Sequence, residues 1–389
     1  MDPTSAPTDK LLSPARETPE DKGRQPEDGL ALCLSGGGYR AMIFHVGVLW
    51  RLNEIGLLPD LKRISAVSGG SITAGVLAMN WSRLDWSPSR VAVNFDEAFV
   101  EPVRRMGRTA VDVRAVLTGI LPFGDSVSDR VAAAYREHLF GDTSLQALPE
   151  TPQFIFNSTN LESGVLLRFS KKYLGDYRVG RVMNPDIPLA VAVAASSAFP
   201  PVLSPCTLNL KGQAWVDDAG NDLTTPGFRD EIQVTDGGVY DNLGLETAWK
   251  RYASIIVSDA GGQLADDDDP DTDPLRQTAR VLNLIDNQVR SLRKRQVVES
   301  FKSGQRSGVY IGIRSRVEKY PGAVLTADPA RTDELAGLKT RLAPLSDAQQ
   351  DRLINWGYVI CDAGLRSHMP HSVKQPAKTA LPYANQPLT

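Results

Sequence analysis

Apolar and polar positions along the chain fall into two alternating patterns. Short, continuously apolar or β-branched runs stand at 30–35 (LALCLS), 61–67 (LKRISAV), 153–159 (QFIFNST), 231–236 (EIQVTD), 253–259 (ASIIVSD) and 308–313 (GVYIGI). Around them, apolar positions recur with helical spacing at 39–56, 70–80, 88–106, 127–139, 185–197, 241–251, 274–303 and 345–365. Strands apolar on both faces, separated by amphipathic helices, belong to a sheet covered on both sides. The pattern therefore predicts an α/β fold with a parallel or mixed sheet and helices on both faces. Residues 82–150 carry weaker strand signals and read as a helical insertion. In the helix 274–303, Leu275, Leu282, Ile285, Val289 and Leu292 share one stripe, with Arg290, Arg293, Lys294 and Arg295 outside it. This spacing predicts a core-packed helix with a basic outer face.

The ends of the chain break the pattern. Residues 1–28 are rich in proline and charge and too poor in apolar groups to offset chain entropy, which predicts a disordered tail. Residues 371–389 read as a second flexible tail, and 316–370 as a helical extension packed on a domain spanning 29–315. No apolar signal segment follows a basic start. The longest apolar stretch, 188–203, is too short to span a bilayer and is interrupted by proline and serine. The expectation is a cytoplasmic protein. With 42% hydrophobic and 23% charged residues among 389, the chain has material for a sizeable core. A net charge of −3 gives no sign of a nucleic-acid partner. Cys33, Cys206 and Cys361 are far apart and form no C-x-x-C pair, which suits a reducing compartment and argues against a disulfide scaffold or zinc site.

Ligands collect at the carboxyl ends of strands in such sheets, and three unusual sequences fall there. The first, Ser35-Gly36-Gly37-Gly38-Tyr39-Arg40, ends one strand and opens a helix; successive glycine N–H groups at a helix start suit an anion. A dinucleotide-binding loop is a second reading, but no partner acid stands about 20 residues on. The next motif, Ala66-Val67-Ser68-Gly69-Gly70, runs from strand to sharp turn to helix, the context of a nucleophile elbow. Ser65 falls within the strand and Ser71 within the helix, so neither sits at the bend. In the third, Asp236-Gly237-Gly238 closes the strand 231–236 and offers a carboxylate as base. Asp217, Asp218, Asp241 and Asp259 compete with it, Asp241 equally suiting a helix cap. Of four histidines, His138 lies in the insertion, His368 and His371 near the C-terminus, and His45 within a helix between Phe44 and Val46, where packing is its ordinary role. The acidic run Asp266–Asp269 lacks the spacing of a calcium loop and reads as solvated.

Taken together, the three motifs in this order resemble the patatin-like phospholipases, with their G-G-G-x-R/K, G-x-S-x-G and D-G-G/A patterns. The stretch AVAASSAFPPVL (192–203) is also similar to that family, and the resemblance covers roughly 29–262, extending toward 315. It implies a three-layer patatin-like fold with a mixed, mostly parallel sheet. It implies Ser68 as nucleophile, Asp236 as general base, and the amides of Gly36, Gly37 and Gly38 as an oxyanion hole, with Gly69 beside the nucleophile. Arg40 would steady the loop or meet substrate phosphate. The implied activity is lipid acyl hydrolysis at a carboxylic ester, without metal or organic cofactor, on a phospholipid or other lipid ester met at a membrane surface. The insertion 82–150, with Trp81, Trp86, Phe95, Phe99, Leu117, Ile120, Leu121 and Phe123, would build an apolar approach. Ala66 and Ala41 depart from the family pattern without removing a reacting group. A general esterase, thioesterase or peptidase using the same dyad, and a non-catalytic lipid- or nucleotide-binding module, stay open as alternatives. The residues do not give an oligomeric state.

Overall fold

The computed structural model describes residues 26–111, 126–373 and 380–389, except 219, 265 and 340 and the side chains of 275 and 279. The expectations for residues 1–25, for Leu117, Ile120, Leu121 and Phe123, and for 374–379 lie outside the described residues.

Among the described residues, eleven strands form one mixed sheet. They are β1 (Glu27–Leu34), β2 (Leu61–Ala66), β3 (Gln153–Asn160), β4 (Leu166–Phe169), β5 (Tyr173–Asp176), β6 (Gly180–Met183), β7 (Cys206–Asn209), β8 (Trp215–Val216), β9 (Glu231–Asp236), β10 (Tyr252–Asp259) and β11 (Ser307–Gly312). Their order is β11-β10-β1-β2-β3-β4-β5-β6-β8, with β9 also on β3 and β7 on β9. The block β11-β10-β1-β2-β3 is parallel; everything beyond β3 is antiparallel. The six strands legible in the hydropathy pattern are the five of this parallel block together with β9.

Helices cover both faces. Those of eight or more residues are α1 (Gly38–Glu54), α2 (Gly69–Asn80), α3 (Glu101–Arg108), α4 (Val127–Tyr135), α5 (Leu189–Ser196), α6 (Pro274–Lys302), α7 (Pro329–Gly337) and α8 (Asp347–His368), with single turns at Gly238–Asp241 and Glu246–Trp249. Strand β1 shows the two faces most simply. Leu30, Leu32 and Leu34 enter the large core shared with α1, α2 and α8, whereas Ala31 and Cys33 point to a smaller one with Leu245, Ala248 and Val297. This is the two-residue alternation of a strand buried on both sides.

Helix α8, in the segment read as a C-terminal extension, lies inside the large core against α1. A Cβ on Gly47 would run into the backbone at Ile354 and Tyr358, and one on Gly357 into Phe44. The two backbones approach this closely because neither position carries a side chain. Trp356 donates its indole N–H to Ile313 O at 2.8 Å, and buried Arg51 pairs with Asp362 at 2.6 Å.

Two expectations are corrected here. Residues 380–389 are docked, not loose: the buried side chain of Asn355 donates to Tyr383 O and Gln386 O at 2.8 and 2.9 Å, Arg104 lies over the Tyr383 ring at 4.6 Å, and Leu388 is 1% exposed. The apolar stripe of α6, expected to face the core, is open in its middle, with Leu282 60%, Ile285 52% and Leu292 57% exposed; the C-terminal end of α6 packs on the smaller core through Val297 and Phe301. In the insertion, Phe95 and Phe99 are buried core residues whose rings lie 4.8 Å apart and are tilted by 40°, while Trp81 and Trp86 pack at the edge of that core.

Candidate active site

Strand β2 ends at Ala66, and α2 begins at Gly69, so Ser68 occupies the bend. Its φ of 51° and ψ of −119° are a conformation that costs a non-glycine residue roughly 1–3 kcal/mol and persists only where the surroundings enforce it. Here a polar network enforces it. The Ser68 N–H donates to Ser196 Oγ at 3.1 Å, Ser196 Oγ donates to Asn157 O at 2.7 Å and accepts from Ser71 Oγ at 2.8 Å. Asn157 Nδ2 in turn holds Ser65 Oγ and Ala66 O, both at 2.9 Å. Ser65 and Ser71 are thus fully buried supports of the bend, whereas Ser68 is 9% exposed.

Asp236 ends β9, directly opposite Ser158 of β3. Its backbone is fastened on both sides, N–H to Ala198 O at 2.9 Å and C=O to Thr159 Oγ1 at 2.9 Å. Oδ1 of its carboxyl accepts the Gly238 N–H at 2.7 Å, and Oδ2 is buried without a hydrogen-bond partner. No cation pairs with it among the described residues. Burial pushes this carboxyl from its ordinary 3.8 up to about 7; the Gly238 amide and the Ser68 hydroxyl pull it back, and Asp286 of α6 adds to the rise. The Ser68 hydroxyl is thus near enough to act on the carboxyl, without a tight hydrogen bond to Oδ2. A carboxyl half-ionised near neutrality beside a strand-end hydroxyl has the properties of a general base.

The glycine loop lies against the elbow. A Cβ on Gly36 would press on the Asn242 side chain and stand 3.2 Å from Ser68 Cβ; one on Gly69 would collide with Gly38 O. Gly37 and Gly38 adopt φ of +144° and +60°, values open to glycine at little cost. The three loop amides are not equivalent. Gly36 N–H donates to Asn242 O at 3.1 Å, so its expected role as an oxyanion donor is corrected: the group is already engaged. The N–H groups of Gly37, Gly38 and Gly69 donate to no group among the described residues, as the start of a helix leaves them.

Arg40, read as either steadying the loop or meeting substrate phosphate, is corrected only in the second role. It is buried, with Nη1 donating to Ala336 O and Leu338 O at 2.9 and 2.6 Å and Nη2 to Ala260 O at 2.8 Å. It fastens the loop to a C-terminal segment and does not present its charge to a substrate. Burial, with Arg314 and Arg290 nearby, pulls it down to about 10 against the opposing effect of Asp259. His45 donates its Nε2–H to Ser35 O at 2.9 Å and accepts from Ser258 Oγ at Nδ1; burial lowers it to about 4, so it packs the sheet as a neutral ring. Among the other acids, Asp217 and Asp218 pair with Arg229 and Arg181. Asp241 accepts the N–H groups of Leu243 and Glu246 at 3.2 and 2.7 Å, and Asp259 accepts Tyr310 OH and the Gly261 N–H. Asn242 and Ser196 are the site residues that motif reading passes over. Asn242 follows a DGG turn that reads as complete without it, and Ser196 lies in an apolar small-residue helix.

A strained strand-end hydroxyl, an unpaired buried carboxyl and three free amides suit acyl transfer on an α/β scaffold: nucleophile, base and donors for an oxyanion. Residues 32–249, more than half of the chain, match the family model of the patatin-like phospholipases, and the chain belongs to that family. No curated protein sequence matches it. Human GIVD cytosolic phospholipase A2 is similar in fold at a TM-score of 0.50 and 12% identity, over 90% of this chain and 63% of that one. The same human enzyme in complex with methyl gamma-linolenyl fluorophosphonate gives 0.51 and 14%, over 94% of this chain and 61% of that one. This chain therefore spans less than two thirds of the length of those it resembles.

Proposed function

We propose that this protein is a lipid acyl hydrolase cleaving carboxylic ester bonds through a Ser68 acyl-enzyme. Ser68 Oγ attacks the acyl carbonyl and its proton passes to Asp236. The amides of Gly37, Gly38 and Gly69 meet the negative oxygen of the tetrahedral intermediate, where one such donor is worth about 3 kcal/mol. Collapse of the intermediate expels the alcohol, which takes the proton from Asp236. Water then gives a proton to Asp236, attacks the acyl-enzyme and releases the fatty acid, and the proton returns to Ser68. The observation that carries this reading is the Asp236 carboxyl, buried without a cation, raised to about 7, and adjoining the hydroxyl of a strained serine. Family membership and the fold likeness to a phospholipase A2 support a lipid ester as the substrate.

The substrate is met at a membrane surface. Long-chain esters are scarce as free monomers in water, and α6 sets exposed apolar side chains beside the site, its Asp286 being felt by Asp236. The contact we propose is peripheral; among the described residues no helix is long and apolar enough to cross a membrane.

A fluorophosphonate probe tests the chemistry. The wild-type protein becomes covalently labelled and hydrolyses vesicle phospholipid, and Ser68→Ala loses both while keeping its melting temperature within a few degrees. A folded Ser68→Ala protein hydrolysing at the wild-type rate overturns the assignment. An unlabelled wild-type protein points to a binding module, and turnover confined to short soluble esters points to a general esterase.

A further inference from the structure

Beside the loop, where the ends of β10 and β11 meet α6, the surface opens into two adjoining clefts. One, of about 230 Å³, is lined by Asp259, Gly262, Arg290, Ser291, Lys294 and Arg314 among others. Its neighbour, of about 400 Å³, shares Gly262, Gln263 and Arg314 and adds Arg40 and Lys339. Their combined volume is that of a small-ligand site.

The charge in these clefts is one-sided. Arg40, Arg290, Lys294, Arg314 and Lys339 face two carboxylates, Asp259 and Asp266. Among the described residues Arg290 donates to Asn287 Oδ1 at 3.2 Å, Arg314 to Ala336 O at 3.2 Å, and Lys294 stands over the Tyr310 ring at 4.6 Å. None of these three forms an ion pair among the described residues. Asp286, one turn before Arg290 on α6, feels its charge without closing on it, and Asp259 is occupied by Tyr310 and Gly261. Arg40 is buried with its Nε unpartnered, and the nearby charges of Arg314 and Arg290 act on it unfavourably. Asp333 also feels Arg314, yet positive charge stays in excess in these linings, and a bound anion relieves the repulsion among like charges.

The clefts share a wall with the candidate catalytic centre. A Cβ on Gly37 would lie 2.7 Å from Ala260 O, and one on Gly261 would lie 2.9 Å from Asn242 Nδ2 and 2.5 Å from Arg290 Nη1. The Oδ1 of the same Asn242 abuts Gly36 and Gly238. One asparagine side chain thus stands between the cationic cleft and the elbow.

We propose that the cleft formed by Arg290, Lys294 and Arg314 binds a phosphate group, the headgroup phosphate of a lipid whose ester reaches Ser68. Guanidinium groups suit a tetrahedral oxyanion by their paired donors, and Ser291 and Ser315 add hydroxyls to the same lining. Arg40, the motif arginine, is committed to three carbonyls, so recognition of the phosphate falls to residues outside the family motifs. This assignment rests on the hydrolase reading for its lipid, but the test is arranged so that the two fail separately.

Binding is measured calorimetrically on the Ser68→Ala protein, so that no turnover is needed. The ligands are inorganic phosphate, dihexanoyl phosphatidic acid and neutral dihexanoylglycerol. Expected is saturable binding of the phosphatidic acid, weakened at least tenfold by Arg290→Gln with Arg314→Gln, while the neutral diacylglycerol binds equally to both proteins. Phosphate binding with the same dependence, and no gain for the lipid, keeps the anion site and assigns it to a free phosphate. If the double variant melts early, Lys294→Glu, at an exposed position, takes its place with the same expected loss. Binding that ignores these substitutions, or none with either phosphorylated ligand, overturns the proposal. The hydrolase reading stands or falls independently on labelling of Ser68.

Discussion

Asp236 faces opposite demands from folding and from the proposed chemistry. Its carboxyl sits at about 7 when folded and at the ordinary 3.8 when exposed. Between these values the folded protein holds a proton that the unfolded chain has released, so this residue withdraws stability as pH rises from about 4 through 7. The ionised form is the one a general base needs. Hydrolysis should therefore rise through pH 6–8 with a midpoint near 7. Asp236→Asn keeps the shape and the acceptor for Gly238 but cannot take a proton, so turnover should fall by ~100-fold or more. The same substitution should raise the melting temperature at pH 8 and change it less at pH 5. Paired pH–rate and pH–melting profiles check both halves. A variant that is inactive but also destabilised at pH 8 would show that the carboxylate holds the fold together and contradict its reading as a base.

Between elements, α1 and α8 touch through Gly47 and Gly357, and here helix propensity and packing predict opposite signs. On propensity, Gly357→Ala stabilises a helix interior by about 1 kcal/mol. In place, the new methyl meets Phe44 O and must push two helices apart, a type of overpacking that costs about 1–3 kcal/mol. The expected outcome is a lower melting temperature, read by calorimetry. Helix α6 poses the reverse case, since its exposed Leu282 and Ile285 contribute little to the core. Leu282→Ser with Ile285→Ser should leave the melting temperature unchanged within a few degrees and reduce binding to phosphatidylcholine vesicles severalfold in a flotation assay. Unaltered vesicle binding would remove α6 from the lipid-facing surface.

Across the whole molecule, the sheet brings together residues far apart in the chain. Parallel pairing of β1 with β2 and β10 sets the glycine loop, the elbow and Asp259 at one edge, and antiparallel pairing of β9 with β3 brings Asp236 to it from the opposite direction. The long strands and helices, Ser68 at its bend and Asp236 at its strand end are legible along the chain, because period and turn chemistry act over fewer than about twenty residues. Strands β4 to β8, of two to four residues, carry too few positions to show a period. The sequence by itself therefore determined where the strands of the sheet's parallel centre lie along the chain, the order of the motifs and the residue types at the candidate site. The tertiary structure alone decided that Gly36 gives its amide to Asn242, that Arg40 is spent on Ala260, Ala336 and Leu338, that the middle of α6 faces outward, and that 380–389 lies on Asn355. Each of these depends on which groups from distant segments compete for one donor, one acceptor or one apolar face, and that competition takes place only once the chain has folded.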